Sequence, residues 1–278
     1  MKITVLGATG MAGHMIVQYL RDMGHNVVPV TRQQIDVENI NSVNKYFANH
    51  DCGDFLINCI GLLVADSCNR PDRAVMINSW FPRYIEYVLK ESYTRIIHLS
   101  TDCVFNGDRG FYTEQDTAHH SGTDSYSRSK LHGELNNSKD ITFRMSIIGP
   151  ELHESGTGLF NWVVNNSSNT IQGWSNAWWN GMTTLQLAKC IEKYIDNPVE
   201  TGIYHLTCPS VSINKYELLK KINEIFQLEK TIEENSGTKY INKILLDTRK
   251  TLNIFIPDYN TQLSDLREYI NHKQDIDI

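Results

Sequence analysis

A chain of 278 residues can bury one large core or two smaller ones, and its 41% hydrophobic and 21% charged composition excludes disordered and low-complexity classes. The net charge is −6 and neither half of the chain is basic, which excludes nucleic acid as the expected partner, because phosphate binding needs a concentrated positive surface. The longest apolar run, Phe55 to Ala65, is far short of the roughly 20 residues that span a bilayer, so a cytoplasmic protein with no membrane partner is expected.

The chain opens as strand, glycine turn, helix, strand. Lys2–Leu6 is a β-branched apolar run, GATGMAG a tight turn, and from Met11 apolar residues recur with helical period until Gly24 stops the helix. Asn26–Val30 reads as a second strand, Ile40–Phe47 as a helix, Phe55–Cys59 as a strand, Ala74–Leu89 as a long helix and Arg95–Leu99 as a strand. Ser125–Leu135 and Ile141–Met145 continue the alternation, which predicts right-handed crossovers and a parallel sheet covered on both faces. After Gly149-Pro150 the pattern changes. Residues 151–182 are rich in Gly, Asn, Ser and Trp; then come a helix at Thr184–Ile195, a strand at Ile203–Leu206 and a helix at Asn214–Phe226 opened by a Ser212 cap. The fold class is therefore α/β: a Rossmann-like doubly wound parallel sheet with a smaller C-terminal substrate-binding lobe. Residues 1–150 are expected to form the sheet domain, with 183–210 returning to it, and 151–182 and 211–278 the lobe.

Gly7-x-x-Gly10-x-x-Gly13 follows a strand and opens a helix, the context in which glycines let the backbone approach a pyrophosphate at the positive end of a helix dipole. Thr9, Met11 and Ala12 belong to the same cradle. At the end of the second strand, Arg32 stands where an acidic residue would hold the adenosine ribose of NAD. An arginine favours the 2′-phosphate of NADP, so NADP(H) is preferred and NAD(H) remains allowed. Asp36 and Val37 are placed against the adenine.

Tyr126-Ser-Arg-Ser-Lys130 sets a phenol and an ammonium one helical turn apart. A free phenol has a pKa near 10, so moving it to neutrality takes about 4 kcal/mol of differential stabilisation, which an adjacent ammonium would help to supply. The pair gains meaning because Ser100-Thr101 ends the preceding strand, where open α/β sheets bind ligands. His98 and His205 lie in strands and read as packed core groups, and His119-His120 as loop residues. The six cysteines have no metal-ligand spacing, so reduced thiols and no metal are expected.

These residues resemble the extended short-chain dehydrogenase/reductases, and within them the dTDP-4-dehydrorhamnose reductase group. The resemblance runs through GATGMAG, Asp36-Val37, Asn58-Cys59-Ile60-Gly61, STDCVFNG at 100–107, Tyr112-x-Glu114-x-Asp116, YSRSKLHGE at 126–134, Arg144-x-Ser146 and Leu245-Leu-Asp-Thr-Arg249. It implies Thr101, Tyr126 and Lys130 as the catalytic set, with Tyr126 and Lys130 also touching the cofactor beside Cys59, Ile60 and Gly61. It further implies hydride transfer to the 4-keto carbon of a nucleotide-linked 6-deoxyhexose, in cell-surface polysaccharide biosynthesis.

Three departures stand out. Ser127 replaces the glycine usual after the tyrosine, Ile147 replaces a tryptophan, and Cys103 stands where related 4,6-dehydratases carry a glutamate base, so reduction is favoured over dehydration. Asp102, Cys103, Ile147 and Trp179 are the candidate substrate contacts, and Trp174 or Trp178 could also stack on a base or sugar. Two rival readings are a nucleotide-sugar 4-epimerase and a non-enzymatic NADP-binding regulatory subunit. A homodimer is compatible with the sequence.

Overall fold

The computed structural model describes residues 1–118, 124–152, 156, 158–198, 200–208, 212–237 and 239–276; His119 and His120 lie outside them. Its centre is a six-stranded parallel sheet of β1 (Lys2–Leu6), β2 (Asn26–Val30), β3 (Phe55–Asn58), β4 (Arg95–Leu99), β5 (Ile141–Arg144) and β10 (Gly202–His205), in the order β10-β5-β4-β3-β1-β2. The chain leaves β1 to one side for β2 and returns to the other side for β3, with Leu6 level with both Val30 and Asn58. That reversal opens a crevice at the strand C-termini between β1 and β3.

Strand alternation distributes the core to both faces. Ile3, Val5, Ile57 and Ile97 pack with Met15, Ile16 and Leu20 of α1 (Met11–Asp22) and Leu187 and Ile191 of α8 (Thr184–Asp196). Leu6, Leu56 and Ile96 face Val43 and Tyr46 of α2 (Ile40–Asn49) and Phe81, Ile85 and Leu89 of α5 (Phe81–Leu89). Each such fully buried side chain contributes about 1.5–3 kcal/mol. The strands read as unbroken apolar runs because both faces are covered.

The long helix expected at Ala74–Leu89 is interrupted. A short α3 (Val64–Asn69) precedes α4 (Pro71–Ala74); a π-helical stretch, Val75–Trp80, then leads into α5. Pro82 is the cause: in an α-helix its ring would strike the Asn78 carbonyl and it has no N–H to donate, and a π turn absorbs the mismatch. The next helix, α6 (Ser125–His132), stops three residues earlier than expected, at Gly133, which lies so close to the Asn78 carbonyl that no Cβ fits there.

Beyond β5 come β6 (Ile147–Ile148), α7 (Leu159–Asn165), β7 (Thr170–Trp174), β8 (Ala177–Trp179) and β9 (Met182–Thr183). After β10 follow β11 (Ile213–Asn214), α9 (Lys215–Phe226), β12 (Thr231–Asn235), β13 (Ile241–Asn242) and α10 (Tyr259–Ile276). They make three small sheets: β11-β8-β13, β12-β7 and β6-β9. Asn214, and not Ser212, caps α9: its side-chain oxygen accepts from the Glu217 amide at 2.9 Å, three residues into the helix, whereas Ser212 is exposed and too far upstream. Leu218, Leu219, Ile222, Leu263 and Leu266 join the same core as α1 and α8, so the small sheets are seated on the main one. Among the described residues no helix is long and apolar enough to cross a membrane.

Candidate active site

At the glycine turn, Gly7 has φ +74°, a conformation that favours glycine, and Gly10 donates its amide to the Gly7 carbonyl at 3.0 Å. A Cβ on Gly13 would collide with that same carbonyl. Gly10 caps α1 without a side-chain bond, and among the described residues no side chain is bonded to the first-turn amides of Met11, Ala12 and Gly13. This is a cradle that can hold a pyrophosphate. Thr9 is exposed on its lip.

The walls come from neighbouring strand ends. Cys59 donates its amide to the Leu6 carbonyl at 3.1 Å, and Ile60 lies so near Gly7 that an added Cβ would sit 3.1 Å from its amide nitrogen. A Cβ on Gly61 would lie 3.9 Å from the Lys130 Nζ. Past β2, the Arg32 side chain is 72% exposed and pairs with Glu38 at 3.0 Å, 3.8 Å from Asp36. Arg73 grips the same Glu38 through two 2.6 Å bonds, and that contact holds the carboxyl below its usual range. Asp36 caps the turn by accepting from the Glu38 amide at 3.2 Å, while Val37 is buried.

Thr101, Tyr126 and Lys130 come together at the end of β4. Asp124 caps α6, accepting from the Tyr126 amide at 2.9 Å and the Ser127 hydroxyl at 2.8 Å, so the serine that departs from the family pattern reinforces the cap. Thr101 Oγ1 accepts from the Cys103 amide at 3.1 Å and donates to Asp102 at 3.2 Å, and it lies near enough to the Tyr126 hydroxyl to act on it. Lys130, one turn on, is buried and donates to the Leu99 carbonyl at 2.6 Å. Burial lowers its pKa to about 8 against the opposing pull of Glu134.

The expectation that Lys130 lowers the phenol is corrected. Burial, then the neighbouring Cys103, Asp102 and Asp124, push the Tyr126 pKa well above its ordinary value, and Thr101 offsets only part of this. Such a phenol stays protonated at neutral pH, as a proton donor must.

The expected substrate contacts separate. Asp102 and Cys103 form the floor beside Thr101; burial raises the Asp102 carboxyl and pushes the Cys103 thiol up to about 11. Ile147 is half-buried in β6, level with Met182 of β9. Trp179 is corrected: only 6% exposed, it stacks on Tyr259 with ring centroids 5.5 Å apart inside the main core. Strand parity explains this, because Trp179 is level with buried Ile213 while Trp178 projects from the opposite face and is partly exposed. Trp174 stacks on Trp162 at 6.2 Å.

Sequence reasoning missed the support beneath the site. The Glu134 carboxylate accepts from Ser100 Oγ at 2.6 Å and from Arg144 Nε and a terminal nitrogen at 2.8 Å each, with both charged side chains buried. It therefore ties the ends of β4 and β5 to the end of α6. The available signal was its spacing, four residues after Lys130. Lys243, far along the chain, runs its stem beside Gly107, and its charge acts on Asp102 and Cys103. His98 is buried and held well below its usual pKa by desolvation, and His205 is lowered to about 4 for the same reason, consistent with packed, neutral rings.

A family model described as RmlD substrate binding domain matches residues 1–270. A protein of Haloferax volcanii, "Probable low-salt glycan biosynthesis reductase Agl14", is 33% identical over 142 residues, 47% of this chain and 46% of that one. The dTDP-4-dehydrorhamnose reductase of Mycolicibacterium smegmatis is 30% identical over 137 residues, covering 48% of this chain and 40% of that one. The chain thus spans less than half the length of these two relatives. The dTDP-4-dehydrorhamnose reductase of Bacillus anthracis, solved in complex with NADP, superposes with a TM-score of 0.82 at 21% identity, covering 96% of this chain and 99% of that one, and shares the fold.

Proposed function

The chain belongs to the RmlD substrate binding domain family, and from that premise we propose that it is an NADPH-dependent reductase of the 4-keto group of a nucleotide-diphosphate-linked 6-deoxyhexose. The meeting of Thr101 at the end of β4 with Tyr126 on α6, and with Lys130 one turn on and bonded to the Leu99 carbonyl, carries the reading. The names of the H. volcanii and M. smegmatis proteins, a glycan biosynthesis reductase and a dTDP-4-dehydrorhamnose reductase, support it, and in this reading the product serves cell-surface polysaccharide biosynthesis.

The residues at the crevice fit a dinucleotide: the Gly7–Gly13 cradle leaves room for phosphates at the α1 amides, with Cys59, Ile60, Gly61 and Lys130 along the wall. When bound there, the cofactor supplies the hydride. Tyr126 then hands its proton to the oxygen that gains charge, and Thr101 donates a second hydrogen bond to that oxygen. A phenol raised above its normal pKa remains a strong enough acid, because the alkoxide it protonates has a conjugate acid near water's pKa of about 15.7. Lys130 holds the cofactor side of the site as an ammonium below pH about 8. Residues 151–182 and 211–278 supply the substrate lobe in this reading.

Incubation with dTDP-, UDP-, GDP- and CDP-4-keto-6-deoxyhexoses tests the proposal. NADPH oxidation with one of them, and an alcohol at C4 by NMR, is the expected result; no oxidation with any, or sugar interconversion without it, rejects the reductase.

Cofactor choice gives a further expected outcome. Arg32 is exposed and Glu38 already has a two-bond partner in Arg73, so Arg32 is free to exchange Glu38 for a 2′-phosphate. Arg32→Ala is expected to cut the NADPH-over-NADH preference in kcat/KM by about 10- to 100-fold, since a charge-assisted contact is worth about 1.5–3 kcal/mol. Steady-state kinetics with both cofactors measures this; an unchanged ratio shows that Arg32 does not read the phosphate.

A further inference from the structure

His98, near the end of β4, is fully buried, and its ring is hydrogen-bonded to Asn58, its level partner on β3. Among the described residues its Nε2 has no hydrogen-bond partner. Packing alone does not account for a histidine here. A leucine or phenylalanine would fill the same space without burying an unmet polar atom, which costs free energy.

The hydrogen bonds of Asn58 fix which way round the pair sits. The Ile60 amide can only donate, and it meets Asn58 Oδ1 at 3.2 Å, so the NH2 group of the same side chain is the atom that meets His98 Nδ1 at 3.2 Å. That NH2 group can only donate as well. His98 Nδ1 must therefore be the bare, accepting nitrogen, with the single ring proton on Nε2. A neutral ring agrees with its burial and with the nearby Lys130 charge, both of which lower its pKa.

These contacts lead to the cofactor cradle. Asn58 is level with Leu6, the last residue before the glycine turn, and the Ile60 amide nitrogen lies 3.1 Å from where a Cβ on Gly7 would sit. An Asn58 amide turned the other way would set its NH2 against the Ile60 N–H, and the Cys59–Gly61 wall would lose that anchor.

We propose that His98 is a positioning residue for the dinucleotide: as a hydrogen-bond acceptor it locks the Asn58 amide in the one orientation that holds the Cys59–Gly61 wall against Gly7. The inference rests on the cofactor reading above and adds a residue that acts on the cofactor only through Asn58.

Two measurements on the full chain test it. The ¹⁵N NMR spectrum of the histidine side chains, with His98 assigned by the loss of its signals in a His98→Gln variant, reads the tautomer on the wild-type protein. A proton on Nε2 with Nδ1 bare is expected; a proton on Nδ1 overturns the lock, whether or not any variant folds. Isothermal titration then gives Kd for NADPH and for NADH. His98→Leu fills the space and accepts nothing, and it is expected to weaken both cofactors by the same factor of about 5- to 10-fold, the usual worth of one buried hydrogen bond. His98→Gln, whose carbonyl oxygen can accept from Asn58, should stay within twofold of wild type, with unfolding midpoints confirming that both variants are folded. Unchanged affinity in His98→Leu overturns the proposal. Equal losses in the leucine and glutamine variants overturn it too, by showing that only the packing of the ring matters. A loss confined to NADPH overturns it by assigning the effect to the 2′-phosphate. If the wild type binds neither NADPH nor NADH, the cofactor reading fails and this inference with it.

Discussion

Tyr126→Phe is expected to lower kcat by about 10²- to 10⁴-fold, the usual worth of a positioned acid, while NADPH binds nearly as before. The hydroxyl is the group that Thr101 acts on, so phenylalanine keeps the ring and its packing and removes the proton donor. The cradle at Gly7–Gly13 and the Lys130 ammonium do not depend on it. Because burial holds the phenol above its ordinary pKa, loss of the wild-type proton donor is not expected anywhere near neutrality. NADPH titration and single-turnover kinetics on the variant separate binding from chemistry. Near-normal turnover would assign the proton to another group, and a large loss of NADPH affinity would make Tyr126 a binding residue.

Glu134→Gln is expected to be the most destabilising of the conservative changes near the site, by about 3–5 kcal/mol, because it leaves the Arg144 guanidinium buried without its counter-charge. Arg144 rests over the Phe105 ring at 5.3 Å and has no exposed route to water; its side chain is 6% exposed. Arg144→Met should cost a similar amount, and the double variant less than the sum of the two, since it leaves neither charge unpaired. With about 2–4 °C per kcal/mol for a chain of this size, each single change should lower Tm by roughly 6–20 °C. Urea unfolding of the three variants checks the values and the non-additivity. Single variants within 1 kcal/mol of wild type would show that Glu134 is not the tie between β4, β5 and α6.

The central sheet was legible because strands buried on both faces are unbroken apolar runs, and the crevice was legible because Gly7, Gly10 and Gly13 announce a close backbone approach. Thr101, Tyr126 and Lys130 could be ordered from one strand end and one helical turn. The π stretch was not, since a proline at position 82 is a stop, a kink or a π turn according to what the Asn78 carbonyl meets, and that is Gly133, over fifty residues away. Trp179 turned into the core because parity along β8 depends on its register with Ile213. Lys243 gave no local signal at all: its stem comes beside Gly107 only through the pairing of β13 with β8. The Tyr126 acidity was misjudged because a neighbour four residues along the helix counts less than removal from water, and Lys130 directs its ammonium to the Leu99 carbonyl.

The central claim is hydride transfer to a sugar carbonyl, and isotope tracing tests it most directly. NADPH carrying deuterium at nicotinamide C4, in each of its two stereochemical forms, is incubated with the protein and the 4-keto-6-deoxyhexose nucleotide that supports oxidation. The account predicts one deuterium at C4 of the product sugar from one form only, with one NADPH consumed per alcohol formed. Product lacking deuterium at C4 from both forms, or converted sugar without NADPH consumption, would contradict it.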